Sequence, residues 1–79
     1  MGINSVVDTV SEVVKPVLAE DDLELVDIEY KKEGPRWFLR IFIHKIGGIT
    51  VKDCQKISRK VEDIIEIEGI IAGKYFLEV

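Results

Sequence analysis

The chain has 79 residues, of which 47% are hydrophobic and 33% are charged, and its formal net charge at pH 7 is -4. This mix suits one small folded domain and excludes a disordered tail. A single cysteine and a single histidine exclude an internal disulfide and a structural zinc site, and they fit a cytoplasmic protein. No apolar run is long enough to cross a bilayer, and no targeting segment is expected at the start.

The first predicted helix covers the N-terminal quarter of the chain. Apolar residues recur at helical spacing over residues 6–18, and Ser5 with Asp8 forms a capping-box pattern, which predicts that the helix begins at Ser5. Pro16 lacks a backbone donor and should bend the helix or begin its end. The acids at residues 20–22 should stop the helix, and they should fray its last turn because their charge opposes the helix dipole.

Two strands joined by a Gly-Pro turn follow. Residues 23–32 alternate between apolar and polar types, which predicts a half-buried strand with Val26, Ile28 and Tyr30 on one face. Residues 37–45 form the second strand, paired antiparallel with the first through the hairpin. The second strand has Trp37, Leu39, Ile41 and Ile43 on one face and Phe38, Arg40, Phe42 and His44 on the other.

The second predicted helix has well-marked ends. Thr50 is the predicted N-cap, Asp53 completes a capping box, and Gly69 ends the helix. Residues 74–79 form a third strand. The apolar stripe of the second helix consists of Cys54, Ile57, Val61, Ile64 and Ile65.

This order of elements predicts an α+β fold of two layers, in which two helices pack on one face of a three-stranded mixed sheet. The second helix forms a crossover, so the third strand should run parallel to the second. Residues 1–79 are expected to form a single domain. The other face of the sheet is left open, with Phe38 and Phe42 beside Arg40.

The sequence predicts neither an enzyme nor a protein that carries a metal or cofactor. His44 belongs to the solvated face of a strand, and Cys54 to the buried stripe of a helix, where thiols are inert. No pair of acids is fixed in a cleft by its spacing. The glycines of residues 46–50 lack the Lys-Ser pair that follows a phosphate-binding loop.

The uneven distribution of charge is the feature of the sequence that best indicates a function. Residues 36–60 contain seven cations and one acid, although the chain as a whole is acidic. A local positive field on a negative protein favours an oriented encounter with an anionic partner. Lys52, Lys56, Arg59 and Lys60 share one helix face, which could contact RNA phosphates or could simply be solvated.

Three segments, in this order and spacing, resemble the N-terminal domain of the ribosome maturation factor RimP family. They are the strand ELVDIEY, the helix start GGITVKDCQKISR and the closing LEV, and the resemblance covers residues 13–79. It implies a domain that is KH-like in outline, followed by a small C-terminal β-barrel. It also implies a non-enzymatic assembly factor that binds the immature small ribosomal subunit through rRNA and ribosomal protein.

By this resemblance, the chain is expected to be the N-terminal domain of a longer two-domain protein, with its own C-terminal barrel as one partner and no membrane partner. An alternative is a protein-interaction or dimerisation domain that uses the open sheet face, with Phe38, Phe42 and Ile46. A third possibility is a domain that only positions the barrel. Charge placement and resemblance together assign the ribosome and RNA contacts to Lys52, Lys56, Arg59 and Lys60, and next to Arg36, Arg40 and Lys45.

Overall fold

The computed structural model describes residues 3–79 and has the predicted order of helix, strand, strand, helix, strand. The α+β class is confirmed, with two helices and one three-stranded mixed sheet. The elements are α1 (Ile3–Ala19), β1 (Glu24–Glu33), β2 (Arg36–His44), α2 (Val51–Glu68) and β3 (Phe76–Glu78).

Helix α1 extends further toward the N-terminus than predicted. Ser5 lies inside the helix, so its assignment as the N-cap is wrong. The apolar period of the sequence explains the difference, because it extends to Ile3, which is three and seven positions before Val6 and Val10. Pro16 also lies inside the helix, which ends three residues later at Ala19.

Helix α1 ends at the acidic run, as predicted. The backbone of this run is held by hydrogen bonds, so the predicted fraying is not observed. The carbonyl of Leu18 accepts hydrogen bonds from the Asp21 and Leu23 amides, at 3.1 and 2.9 Å. Asp22 adopts a φ of 57°, a left-handed conformation that aspartate tolerates better than most residues. The acids are also held by cations of α2, as described below.

The hairpin is closed by a two-residue turn at Gly34 and Pro35. Gly34 has a φ of 62°, and the proline ring fixes a negative φ after it. A positive φ followed by a negative one is the combination of a type II′ turn, whose twist matches that of antiparallel strands. The register that follows from this turn pairs Glu33 with Arg36 and Glu29 with Arg40.

A β-bulge in β1 overturns one predicted side-chain direction. Leu25 pairs with Ile43 and Asp27 with Phe42, so Val26 is the extra residue. Val26 is 64% exposed, and the prediction that it shares the inner face with Ile28 and Tyr30 is wrong. Leu25 packs against the core in its place.

Strand β2 is the centre of the sheet, between β1 and β3. Strand β3 runs parallel to β2, as predicted, from Phe38 opposite Phe76 to Arg40 opposite Glu78. It contains three residues rather than the six predicted. Because side chains alternate along a strand, Phe76 and Glu78 lie on the same outer face as Phe38 and Arg40.

Helix α2 has the predicted caps. The Thr50 side chain accepts a hydrogen bond from the Asp53 amide, and the Thr50 amide donates one to the Asp53 carboxylate, both at 3.1 Å. Gly69 adopts a left-handed conformation, with φ 62°, and donates to the Glu66 carbonyl. These local hydrogen bonds fix both ends of α2 and therefore the direction of every side chain along it.

Both helices pack on the inner face of the sheet. The outer face of the sheet and the outer side of α2 therefore remain exposed and available for contacts. The central residue of the core is Leu39, which is completely buried on β2. The other buried apolar residues are Val6, Val10, Val14 and Leu18 of α1, Leu23, Ile28 and Ile41 of the hairpin, Ile57, Val61 and Ile65 of α2, and Ile70.

Candidate nucleic-acid interface

The cations of α2 lie on the side of the helix that faces away from the core. Ile57 and Val61 are buried against the sheet and α1, and at 100° per residue Lys52 and Arg59 fall on the opposite side. Lys52, Lys56 and Arg59 are exposed, and Lys60 is half-buried on the flank of this surface. We call the surface formed by Lys52, Lys56, Arg59 and Lys60 the basic face.

Two of the four cations in the basic face are already bound to carboxylates. Lys56 Nζ lies 2.8 Å from Asp21 Oδ1. Lys60 Nζ lies 3.4 Å from Glu20 Oε2 and 3.7 Å from Asp21 Oδ2. The turn that follows α1 therefore supplies the anions for one edge of the basic face.

These ion pairs shift the pKa values of their members in opposite directions. The hydrogen bond to Lys56 is the main reason that the pKa of Asp21 lies below its ordinary value. The same hydrogen bond raises the pKa of Lys56. Both groups are thus charged throughout the neutral range, and the contact between them does not depend on pH there.

The other two cations in the basic face have no carboxylate partner within residues 3–79. Lys52 and Arg59 form no ion pair with any of the residues that the structure describes. Both side chains belong to exposed residues on the outer side of α2. Their charges are available to an external anion without the loss of an internal contact.

Lys45 lies near the start of α2, where it forms an ion pair of 3.6 Å with Asp53. Asp53 is already occupied with the helix cap, and its hydrogen bond from the Thr50 backbone is the main cause of its lowered pKa. Lys45 is half-buried, and its charge is partly compensated by this carboxylate.

Arg40 occupies the outer face of the sheet and is surrounded by acids. Its guanidinium donates two hydrogen bonds to Glu33, at 2.9 and 3.0 Å, and one to Glu78, at 2.6 Å. Glu29 lies 4.0 Å away. These contacts, that to Glu33 first, raise the pKa of Arg40. A phosphate would have to displace bound carboxylates to reach this arginine.

Arg40 is also one end of a stack of planar groups. Its guanidinium lies 5.0 Å from the centre of the Phe38 ring, and Phe38 stacks on Phe76 with ring centres 5.5 Å apart. Arg36 lies 5.3 Å from the centre of the Phe76 ring and has no carboxylate partner among the described residues. We call Arg36, Phe76, Phe38 and Arg40 the aromatic column.

The structure therefore divides the seven cations assigned from sequence into separate groups. The basic face lies on the helical layer, whereas Arg36 and Arg40 lie on the outer face of the sheet, on the other side of the domain. Phe76, which is 47% exposed, is not among the residues predicted from the sequence. The alternation within residues 74–79 could have identified it, because Phe76 and Glu78 share a face.

The alternative interaction residues are also divided between two places. Phe42 is 44% exposed on the outer sheet face, close to the aromatic column. Ile46 is exposed as well, but it lies in the turn between β2 and α2. His44 is exposed at the end of β2, as predicted, and Cys54 is half-buried.

The described part of the chain contains neither a candidate metal-binding cluster nor a membrane-spanning helix. No group of three or more His, Cys, Asp or Glu side chains in residues 3–79 is arranged to hold a metal ion. Neither α1 nor α2 has the length and apolar character that a membrane-spanning helix requires.

The fold and its exposed surfaces define a small α+β domain with one cationic helix face and one aromatic sheet face. Residues 13–79 match the family model described as RimP N-terminal domain, and the chain belongs to this family of ribosome maturation factors. The match begins within α1 and includes both strands of the hairpin, α2 and β3. All the candidate contact residues lie within the matched region.

Proposed function

We propose that this chain is a non-enzymatic assembly-factor module that binds the immature small ribosomal subunit during its maturation. Family membership supports a ribosome-related partner. The basic face supports rRNA as the component that is contacted. The second, C-terminal barrel domain that the sequence resemblance implies stays a prediction.

The observation that carries this proposal is the pair of cations in the basic face that form no ion pair with the described residues. Lys52 and Arg59 are seven residues apart, which places them roughly 10 Å apart along the axis of α2. They project from a helix that is fixed by caps at both ends, so little conformational freedom of the backbone is lost on binding. A polyanion that lies along α2 can meet both charges at once.

A second candidate function is a protein contact through the outer face of the sheet. Phe42 and Phe76 are exposed there, although large apolar side chains are more often buried. The carboxylates around Arg40 make this surface unfavourable for phosphate, and they favour a partner that is apolar or basic. The same surface could alternatively hold a second copy of the chain.

Salt dependence separates the two candidates. Contact of two to four cations with phosphates predicts that affinity for purified immature small subunits falls about tenfold to a hundredfold between about 50 and 200 mM salt. The measurement is a titration of subunits into the fluorescently labelled chain at each salt concentration. A change smaller than about twofold would contradict the proposal and favour the sheet face, where burial of Phe42 and Phe76 contributes binding energy that salt barely affects.

A further inference from the structure

The carboxylates after α1 contact the basic face as an external phosphate would. Asp21 Oδ1 lies 2.8 Å from Lys56 Nζ, a distance typical of a charge-assisted hydrogen bond. Glu20 adds a longer contact, of 3.4 Å, to Lys60. Asp21 Oδ2 is shielded from solvent and has no hydrogen-bond partner among the described residues, although Lys60 Nζ lies 3.7 Å away.

Stabilisation of α1 does not explain the position of these acids. Negative charge at the C-terminus of a helix opposes the helix dipole, so Glu20 and Asp21 do not favour α1. Exposed ion pairs also contribute little to folding stability. The clear effect of Glu20 and Asp21 is electrostatic, because they neutralise Lys56 and Lys60. Lys52 and Arg59 form no ion pair with these or the other described residues.

We propose that Glu20 and Asp21 form a carboxylate latch, an internal competitor that RNA phosphate must displace from Lys56 and Lys60. This inference rests on the proposed function, since it concerns the same basic face. Lys52 and Arg59 make the first contact, and a polyanion held there can exchange its phosphate oxygens for the carboxylates on the neighbouring lysines. Anions that cannot also reach Lys52 and Arg59 bind weakly, so the latch reduces non-specific attachment.

The test compares two neighbouring substitutions that change the net charge equally. Asp21→Asn removes a latch carboxylate, whereas Asp22→Asn removes an exposed carboxylate that forms no ion pair with the described residues. Asparagine tolerates the left-handed backbone at residue 22. With a short fluorescein-labelled single-stranded RNA as probe, D21N should bind about fivefold more tightly than the wild-type chain and D22N less than about twofold more tightly.

Removing the lysines provides the second arm of the test. In a chain that carries K56Q and K60Q, Asp21 has no lysine to neutralise, so adding D21N should change affinity by less than about twofold, as D22N does. A gain that persists in this background, or equal gains from D21N and D22N, would overturn the latch, because either result reflects net charge alone. A D21N chain that is less stable but binds RNA no more tightly would also overturn the latch, because the contact would then only stabilise the fold.

If D21N does not fold, E20Q removes the contact to Lys60 alone and should give about a twofold gain in affinity. An E20Q chain with wild-type affinity would then overturn the latch.

A third variant distinguishes failure of the latch from failure of the proposed function. K52Q with R59Q should weaken RNA binding whether or not the latch operates. Weaker binding in this variant, without a gain in D21N, rejects the latch alone. Unchanged affinity in K52Q/R59Q rejects the basic face as the contact surface, and the latch with it.

Discussion

Replacement of both Lys52 and Arg59 by glutamate is expected to weaken binding to immature small ribosomal subunits by about a hundredfold at low salt. Each substitution removes one phosphate contact and adds one repulsive charge. Neither side chain forms an ion pair with the described residues, so the fold should be unaffected. The affinity can be measured by titrating subunits into the labelled chain, with circular dichroism to verify folding.

The matched control is the pair K31E and K74E. Lys31 and Lys74 are exposed, form no ion pair within the described part of the chain and lie outside the basic face. The control changes the net charge by the same amount and should cost less than about threefold in affinity. Equal losses in the two pairs would show that the basic face does not determine binding, because net charge or a contact of Lys31 on the outer sheet face would then account for it.

The choice of Lys52 and Arg59 follows from the ion pairs. Glutamate at Lys56 or Lys60 would face Asp21 or Glu20 in the turn after α1, and the like charges would repel each other and shift this turn relative to α2. A loss of binding in such a variant could arise from the fold. Lys52 and Arg59 report on external contacts alone.

Leu39→Ala is expected to lower the free energy of unfolding by about 2–5 kcal/mol, the usual cost of removing a large buried aliphatic side chain. Leu39 is fully buried on the central strand, with β1 on one side and β3 on the other. A domain this small has a limited core, so the loss is a large fraction of its stability. Urea unfolding followed by circular dichroism measures the difference.

Val26→Ala provides the matched control for this loss and also tests the bulge. Val26 is apolar and lies in the same sheet, but it is 64% exposed as the extra residue of β1. Its truncation should change the free energy of unfolding by less than about 0.5 kcal/mol. A loss of about 2 kcal/mol in V26A would place the side chain in the core and contradict the bulge.

Local chemistry explains which parts of the fold could be predicted. The ends of α2 follow from Thr50, Asp53 and Gly69, whose hydrogen bonds involve only nearby residues. The bulge at Val26 could not be predicted in this way, because an alternating pattern does not reveal an extra residue until the pairing strand is known. The predicted start of α1 is wrong because the prediction relies on the capping pattern at Ser5 rather than on the apolar period of the sequence.

The same distinction holds for the candidate site. The shared face of the α2 cations follows from helical spacing alone. The contact of Lys56 with Asp21 depends on how two helices pack, and the two residues are 35 positions apart in sequence. The contact of Arg40 with Glu29 could have been predicted from the sequence, because counting back from the Gly34-Pro35 turn places those two residues opposite each other.

Lysine footprinting tests most directly whether the basic face is the surface that meets the subunit. The chain is treated with an amine-acylating reagent, free and in complex with immature small subunits, and the rate of modification at each lysine is measured by mass spectrometry. We expect Lys52 to be strongly protected in the complex, while Lys31 on the outer sheet face and Lys74 in the loop before β3 react at their free rates. Protection of Lys31 with an unchanged rate at Lys52 would contradict the assignment and place the contact on the aromatic face of the sheet.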